Sequence, residues 1–531
     1  MTQPSSTSTF EQARRLHESG DLTEAERLYI DILRGDRLHF DALHMLGMLY
    51  YQRGALDRAL ACLRAALQID AVHADAQSDA GLVLLAMGRP EEALAHYHAS
   101  HAIAPDDPHA LNGSGVALLR LDRTFEALES FERALTVSPG DVDALGNRGN
   151  LLLKLNRPHE AIASYDAGLE LAPRHARLLT NRAAALHRLD RPHEALLALH
   201  RAVAAEPDFA EARFMESLIE LSLGDFTAGW RGYESRWATA AFAPHRRGFA
   251  QPLWLGGEPL AGKTVLLYAE QGYGDTIQLV RYAPQVAALG AKVVLEVQRD
   301  LVRLLGAFAE ITVVAHGDPL PPFDLQCPLM SLPLAFRTTL DTIPAEVPYV
   351  SPPAAAAALA ARLRGRKPAI GIAWAGDPLH KNDANRSMRL SALRPLLDLP
   401  EVEFVSLQQE ISADDAAVLR TYADRLATCG PFRDFAETAS VIAGLDAVVA
   451  VDTAVAHLAG AMGKPLFLLL PFGAEFRWLR ERRDCPWYPS ARLFRQHAFC
   501  DWSAAVEALR AHLQSVFSHR QSETRIAKRA L

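Results

Sequence analysis

The sequence predicts two structural classes in one chain: an α-solenoid of stacked helical hairpins, followed by an α/β region of two Rossmann-like units. Three observations carry this expectation. A 34-residue period runs through the first part of the chain, and it stops after Trp237. Beyond that point, apolar β-branched runs of strand length alternate with helix-like stretches, as in parallel sheets.

A chain of 531 residues is long enough for several cores. Charged residues make up 22% and the apolar set 49%, which fits a globular and not a disordered protein. The formal net charge of −8 disfavours a nucleic-acid partner, because such partners require a basic face. Cys62, Cys327, Cys429, Cys485 and Cys500 are scattered with no CxxC pair. That argues against a disulfide framework and a structural zinc site. The start, MTQPSSTSTF, has neither the basic nor the apolar part of a signal peptide. No run reaches the ~18 apolar residues of a membrane helix. The expectation is a cytoplasmic protein with no membrane span.

The repeat array comes first. Alanine recurs at Ala25, Ala59, Ala93, Ala127, Ala161 and Ala195, each 34 residues after the last. Four residues later stands a bulky residue: Tyr29, Leu63, Tyr97, Phe131, Tyr165 and Leu199. Residues four apart share a helix face, so each pair presents one small and one large side chain together. Glycine lies twelve residues before the alanine at Gly47, Gly81, Gly115 and Gly149, which lets two helices cross closely. Proline lies twelve after it at Pro105, Pro139, Pro173 and Pro207, where it stops the second helix of a unit. The period and its marks resemble the tetratricopeptide repeat. A seventh unit begins at Ala210 but carries Gly229 where alanine is due. The array is placed at residues 6–237.

Such an array is either a rigid spacer or a groove for a peptide or subunit, and stacked helix pairs favour the groove. Asn112, Asn147 and Asn181 lie about one repeat apart. They are candidates to clamp a peptide backbone, or else they are solvated helix positions.

Residues 238–262 read as a linker with a short edge strand. Strands follow at TVLLYAE (264–270), KVVLEV (292–297) and ITVVA (311–315), giving a first Rossmann-like half at 263–350. A second half at 367–516 has strands AIGIAWA (369–375), VEFVSL (402–407), AVVAVD (447–452) and PLFLLLP (465–471). Residues 347–366 read as the connection between them, and 517–531 as a flexible tail. Ligands of such sheets sit at the carboxyl ends of the strands.

Four motifs are candidates for chemistry. GEPLAGKT (257–264) satisfies the phosphate-loop pattern, but that loop must lead into a helix, and a strand follows here. In the loop QGYGD, Gly272 and Gly274 permit a tight turn and Asp275 opens a helix. Asp275 is either a helix cap or a base that takes a proton from an acceptor hydroxyl. In DTAVAH, Asp452 ends a strand, Thr453 starts a helix and His457 follows one turn on. A helix start offers free amides and a positive dipole end to phosphate; the alternative is a capped helix with a buried histidine. The polar run HKNDANRSMR (380–389) holds Lys381 and Arg386, which can pair with a diphosphate or belong to a solvated loop.

Together, the GD of Gly274 and Asp275 and the D-T-x-x-x-H-L-A-G-A run at 452–461 resemble the heptosyltransferases, glycosyltransferases of the two-Rossmann GT-B type. Repeats joined to such a domain are similar to the protein O-GlcNAc transferases and their bacterial relatives. GDFTAGWRGYESRW (224–237) and PFGAEFRWLRERRDCPWYP (471–489) are similar to bacterial repeat proteins with such a domain. The resemblance implies a GT-B arrangement with Asp275 as acceptor base and Lys381 as a phosphate partner. It places Asp452, Thr453 and His457 at the donor sugar and diphosphate. Gly272, Gly274 and Arg386 complete the donor-site candidates.

The expected function is a metal-independent transfer of a sugar from a nucleotide-diphosphate donor to a hydroxyl, on a protein recruited by the repeats. No bound cofactor is expected, since the nucleotide sugar is a co-substrate. Two other functions fit the same sequence. One is a non-catalytic scaffold with a vestigial nucleotide-sugar domain. The other is a glycan-building transferase whose repeats recruit partners.

Overall fold

The structure, a computed structural model, describes residues 6–353, 367–380 and 382–529. The chain divides into two compact units, Met1–Ala185 and Leu186–Leu531.

The first unit is built of helical hairpins. Successive pairs are Phe40–Gln52 with Leu56–Ile69, Ala74–Ala86 with Pro90–Ile103, Pro108–Arg120 with Thr124–Val137, and Val142–Lys154 with Pro158–Leu171. The unit's recurring alanines, Ala25, Ala59, Ala93, Ala127 and Ala161, are fully buried, as is Ala195 in the second unit. The glycine of each first helix faces the bulky residue of its partner. A Cβ on Gly115 would lie 2.5 Å from the Phe131 ring, and one on Gly81 2.9 Å from Tyr97. The small residue is therefore what seats the ring. Second helices end at Ile103, Val137, Leu171 and Ala205, two residues before the recurring prolines.

The second unit begins with the last hairpins. Helix Ala210–Leu223 is followed by a shortened Phe226–Tyr233, which tightens into a 3-10 turn, Glu234–Ala238. At Gly229 a Cβ would meet the Leu221 backbone N at 3.0 Å, so these two helices approach more closely than alanine permits. Phe226, Trp230 and Tyr233 join the α/β core together with Trp254, Leu260 and Trp487. The segment expected as a linker is thus anchored at Trp254 and Leu260. Leu253 makes an isolated parallel bridge to Gln326.

Two parallel sheets follow. The first comprises β1 (Thr264–Tyr268), β2 (Lys292–Val297), β3 (Ile311–Ala315) and β4 (Leu325–Pro328), in the order β3-β2-β1-β4. The second comprises β5 (Ala369–Ala373), β6 (Glu403–Ser406), β7 (Leu426–Thr428), β8 (Ala447–Val451), β9 (Leu466–Leu470) and β10 (Ala491–Arg495). Its order, β10-β9-β8-β5-β6-β7, is that of a doubly wound nucleotide-binding sheet. β5, β8 and β9 are buried along their whole length, which is why they read as unbroken apolar runs.

Thr264 opens β1, so GEPLAGKT leads into a strand. β4, β7 and β10 were not expected. All three are edge strands, and their sequences LQCP, LAT and ARLFR mix polar residues or proline into short runs, as edges do. Helix Ser503–Arg529 runs through most of the segment read as a flexible tail. Of the connection read at 347–366, residues 354–366 lie outside the described residues.

Candidate active site

Order in each sheet reverses at one place: between β1 and β4 in the first, and between β5 and β8 in the second. Crevices at such reversals, beyond the strands' carboxyl ends, are where ligands bind. The sequence-selected loops follow β1, β5 and β8.

After β1, Asp275 sits in the first turn of helix Tyr273–Leu279. One carboxyl oxygen accepts from the Gly272 N–H at 2.9 Å, which caps the helix. The other accepts from Arg477, which lies beyond β9. Arg477 also donates to Gln278 at 2.7 Å and to Glu475. Burial opposes the charge on Arg477, but Asp275, Glu475, Tyr233 and Asp452 more than offset it and raise its pKa.

After β8, Thr453 is the N-cap residue of helix Ala454–Ala461, with an extended backbone. An N-cap threonine ordinarily accepts from the first amides of its helix. Here its hydroxyl makes no cap bond and is buried without a partner. The hydroxyl is therefore an unmatched buried group at the helix start, where the Ala456 and His457 N–H groups bond back to the Thr453 carbonyl. His457 is buried against the Trp478 ring, centroids 5.2 Å apart, and bonds through Nδ1 to the Tyr488 hydroxyl at 2.9 Å. Its Nε2 is 3.8 Å from Asp452. Burial, then Arg477, Arg281 and Arg386, holds the imidazole well below its usual pKa, so it is neutral near pH 7. Asp452 is pushed the other way, up to about 6, by burial and then Glu475; Trp478, Arg477 and Arg386 act in the opposite sense.

The two helix starts meet. A Cβ on Gly274 would lie 2.7 Å from the His457 ring, so this glycine allows the helix after β1 to close on the helix after β8. Arg281 fastens the same junction by donating to the carbonyls of Pro344 and Trp487 and to the Tyr349 hydroxyl. Gly272 supplies the amide that Asp275 caps.

After β5, Arg386 pairs with Asp383 at 3.4 Å and lies close enough to act on Asp452 and His457. Lys381 lies outside the described residues. Beside Arg386, Asn385 is 3% exposed, and neither end of its amide has a partner. Gln408, after β6, latches this loop by accepting from the backbone N–H groups of Trp374 and Ala375.

In the repeats, Asn147 donates to Asn112 at 3.0 Å and Asn181 donates to Asn150 at 2.7 Å. The three asparagines are half-buried and hydrogen-bonded from helix to helix, not simply solvated.

Sequence reasoning missed Arg477, Asn385 and a buried network behind Asp275. In that network Arg236, fully buried, donates to Glu234 at 2.6 Å, Ser331 at 2.8 Å and Glu270 at 3.2 Å. Glu270 also accepts from the Met330 N–H, and its other oxygen is buried without a partner. Burial raises its pKa to about 7, against the pull of Arg236. The available signal was the charge embedded in aromatic runs, ESRW and EFRW.

Comparison with known proteins bears on both units. Residues 10–74, 78–142, 147–199 and 188–244 match the tetratricopeptide repeat model. Residues 408–477 match the model of glycosyltransferase family 9 (heptosyltransferase), a span that includes Asp452, Thr453 and His457 and ends on Arg477. Protein FlbA of Caulobacter vibrioides (strain ATCC 19089 / CIP 103742 / CB 15) is 29% identical over 339 residues, 58% of this chain. The match spans 56% of that relative's length. Among solved structures, PilF of Pseudomonas aeruginosa is 22% identical, with a TM-score of 0.35, over 38% of this chain and 92% of its own. YrrB, described as a TPR protein with an unusual peptide-binding site, is 23% identical, with a TM-score of 0.29, over 35% of this chain and 95% of its own. The chain carries tetratricopeptide repeats and a C-terminal heptosyltransferase-family segment, a combination that fits a glycosyltransferase.

Proposed function

We propose that the α/β region is a metal-independent glycosyltransferase of GT-B arrangement. It moves a sugar from a nucleotide-diphosphate donor to a hydroxyl on a polypeptide recruited by the repeats. The observation that carries this reading is the meeting of Asp275 with the Asp452–His457 helix start, joined through Arg477, at the carboxyl ends of β1 and β8. The diphosphate takes the start of helix Ala454–Ala461, the Thr453 hydroxyl and Arg386, with Lys381 as a further cation. Helix amides and a guanidinium stabilise the leaving diphosphate without a metal. Neutral His457, with its Nδ1 engaged by Tyr488, presents Nε2–H as a donor beside Asp452. Asp275, oriented by Gly272 and Arg477, accepts the proton of the attacking hydroxyl. Asn112, Asn147 and Asn181 hold the backbone of the recruited polypeptide.

Calorimetry with UDP, GDP, ADP and CDP in the presence of EDTA tests the donor half of this reading. One nucleotide is expected to bind without divalent metal. His457→Ala should weaken it by roughly 1–3 kcal/mol, as for loss of a hydrogen bond to a charged group. Binding that appears only when magnesium is restored contradicts the assignment.

A further inference from the structure

A cavity of about 490 Å³ opens at the carboxyl ends of β9 and β10, against helix Ser503–Arg529. None of Asp275, Asp452, Thr453, His457 or Arg477 lines it. Its wall carries five arginines and two histidines against two carboxylates. Internal pairs meet part of this charge: Arg480 binds Asp190, Arg482 binds Asp484 at 2.6 Å, and Arg495 donates to the Trp478 and Leu479 carbonyls.

Two donors remain over. Arg480 Nη1 is buried without an acceptor, and so is the Nε2 of Gln496, a residue only 3% exposed. The Gln496 carbonyl accepts from the Phe472 N–H at 3.0 Å. That bond fixes which end of the amide is engaged and leaves the NH2 end unmet. Buried donors of this kind are costly unless something accepts from them. Arg480 is projected by a strained turn, since Leu479 and Glu481 on either side of it hold φ of 51° and 55°, a region non-glycine residues avoid. Burial and the neighbouring Arg480 also lower Arg495 to about 10. A cluster of cations held this close calls for an anion.

The geometry points to a second binding site here, for an oxyanion of the phosphate type, received by Arg480 and the Gln496 amide. The remaining space, walled by Leu493, Phe494 and Ala505, suits the body of a phosphorylated small molecule. The site stands apart from the donor crevice, and it shares the 476–483 segment with Arg477. It therefore does not depend on the assignment of transferase activity.

The test is calorimetric titration of the full chain with inorganic phosphate and with glucose 6-phosphate, at ionic strength matched with chloride. Gln496→Glu keeps the carbonyl that holds Phe472 and places negative charge where the oxyanion sits. It should reduce affinity about tenfold or more, given the strength of charge-assisted bonds. Thr453→Val removes a contact of the donor crevice, and the component of binding lost in Gln496→Glu should persist in it within about twofold. Arg480→Gln is the second variant and should also lose binding. Tighter binding of the sugar phosphate identifies a phosphorylated small molecule as the ligand, and equal binding identifies free phosphate. The proposal is overturned if Gln496→Glu removes no component of binding, if Thr453→Val abolishes all of it, or if chloride alone reproduces it.

Discussion

In the repeats, the decisive contacts are local: Gly115 clears room for Phe131 sixteen residues on, within one hairpin. In the α/β region the decisive contacts are remote. Arg477 holds Asp275 across 202 positions, and Arg281 holds the Trp487 carbonyl across 206. Local contacts make each hairpin a nearly independent module whose stability adds to its neighbours'. Remote contacts make the site a property of the whole fold, formed only once both sheets are in place. The seventh hairpin lies between these regimes. It keeps the hairpin form, yet Phe226, Trp230 and Tyr233 pack in the α/β core and Arg236 completes the network behind β1.

The largest expected effect separates that hairpin from the others. Trp230 is 2% exposed and packs edge-on against Phe476, centroids 5.6 Å apart. Trp230→Ala should destabilise the α/β transition by ~3–5 kcal/mol. A denaturant titration that follows tryptophan fluorescence and far-ultraviolet dichroism should show the helical signal of the repeats retained. If the two signals shift together, the seventh hairpin is an ordinary repeat.

A smaller effect tests the modular side. Alanine in place of an exposed helical glycine stabilises by about 1 kcal/mol. At Gly115 the new methyl meets the Phe131 ring, so Gly115→Ala should destabilise by ~1–3 kcal/mol through overpacking. At Gly47 a methyl would meet Leu63 Cγ at 2.9 Å and the Ala59 carbonyl oxygen at 3.2 Å, a looser fit than the 2.5 Å at Gly115, so Gly47→Ala should cost less. Thermal melts that rank the two equally would show that ring seating is not what selects glycine.

The third prediction concerns pH. The Glu270 carboxyl is raised from 4.5 to about 7, so the folded state holds its proton more tightly than the unfolded chain does. Its ionisation therefore removes stability as pH rises through that window. Glu270→Gln keeps an acceptor for Arg236 and cannot ionise. The stability of the variant relative to the parent should grow between about pH 4.5 and 7 and then level, by on the order of 1–3 kcal/mol. A flat difference across that range would mean that Glu270 does not titrate there.

The smallest effect lies on the repeat face. Asn147→Ala removes one bond, to Asn112, and should cost about 0.5–1.5 kcal/mol. The melting temperature should change little, while binding of a recruited polypeptide should weaken. Unchanged binding would leave these asparagines a purely structural ladder.

The same contrast explains what could be read in advance. Ala59, Gly81 and Pro139 were legible because each position is written several times at one spacing. β2 was legible because burial demands an apolar run, and β3 because its β-branched ITVVA reads as a strand although it lies at an edge and is only partly buried. β4, β7 and β10 were not, since LQCP, LAT and ARLFR are too short or too mixed with polar residues and proline to read as strands. Asp275 and Thr453 stood out because glycine, strand end and helix start coincide in sequence. Arg477 did not, because a lone arginine in EFRW shows nothing of the aspartate 202 residues before it. Nor could sequence show that Asp275 both caps its helix and binds that arginine.

Asp275→Asn tests the central claim most directly, with single-turnover sugar transfer and donor affinity measured on the same preparation. Asparagine keeps a side-chain carbonyl that can accept from the Gly272 N–H but cannot serve as the base. Transfer should fall by ~10²–10⁴-fold, while donor affinity and the folded fraction hold. If turnover per folded molecule is unchanged and only the melting temperature drops, Asp275 is a cap and a clamp for Arg477, and the catalytic assignment fails.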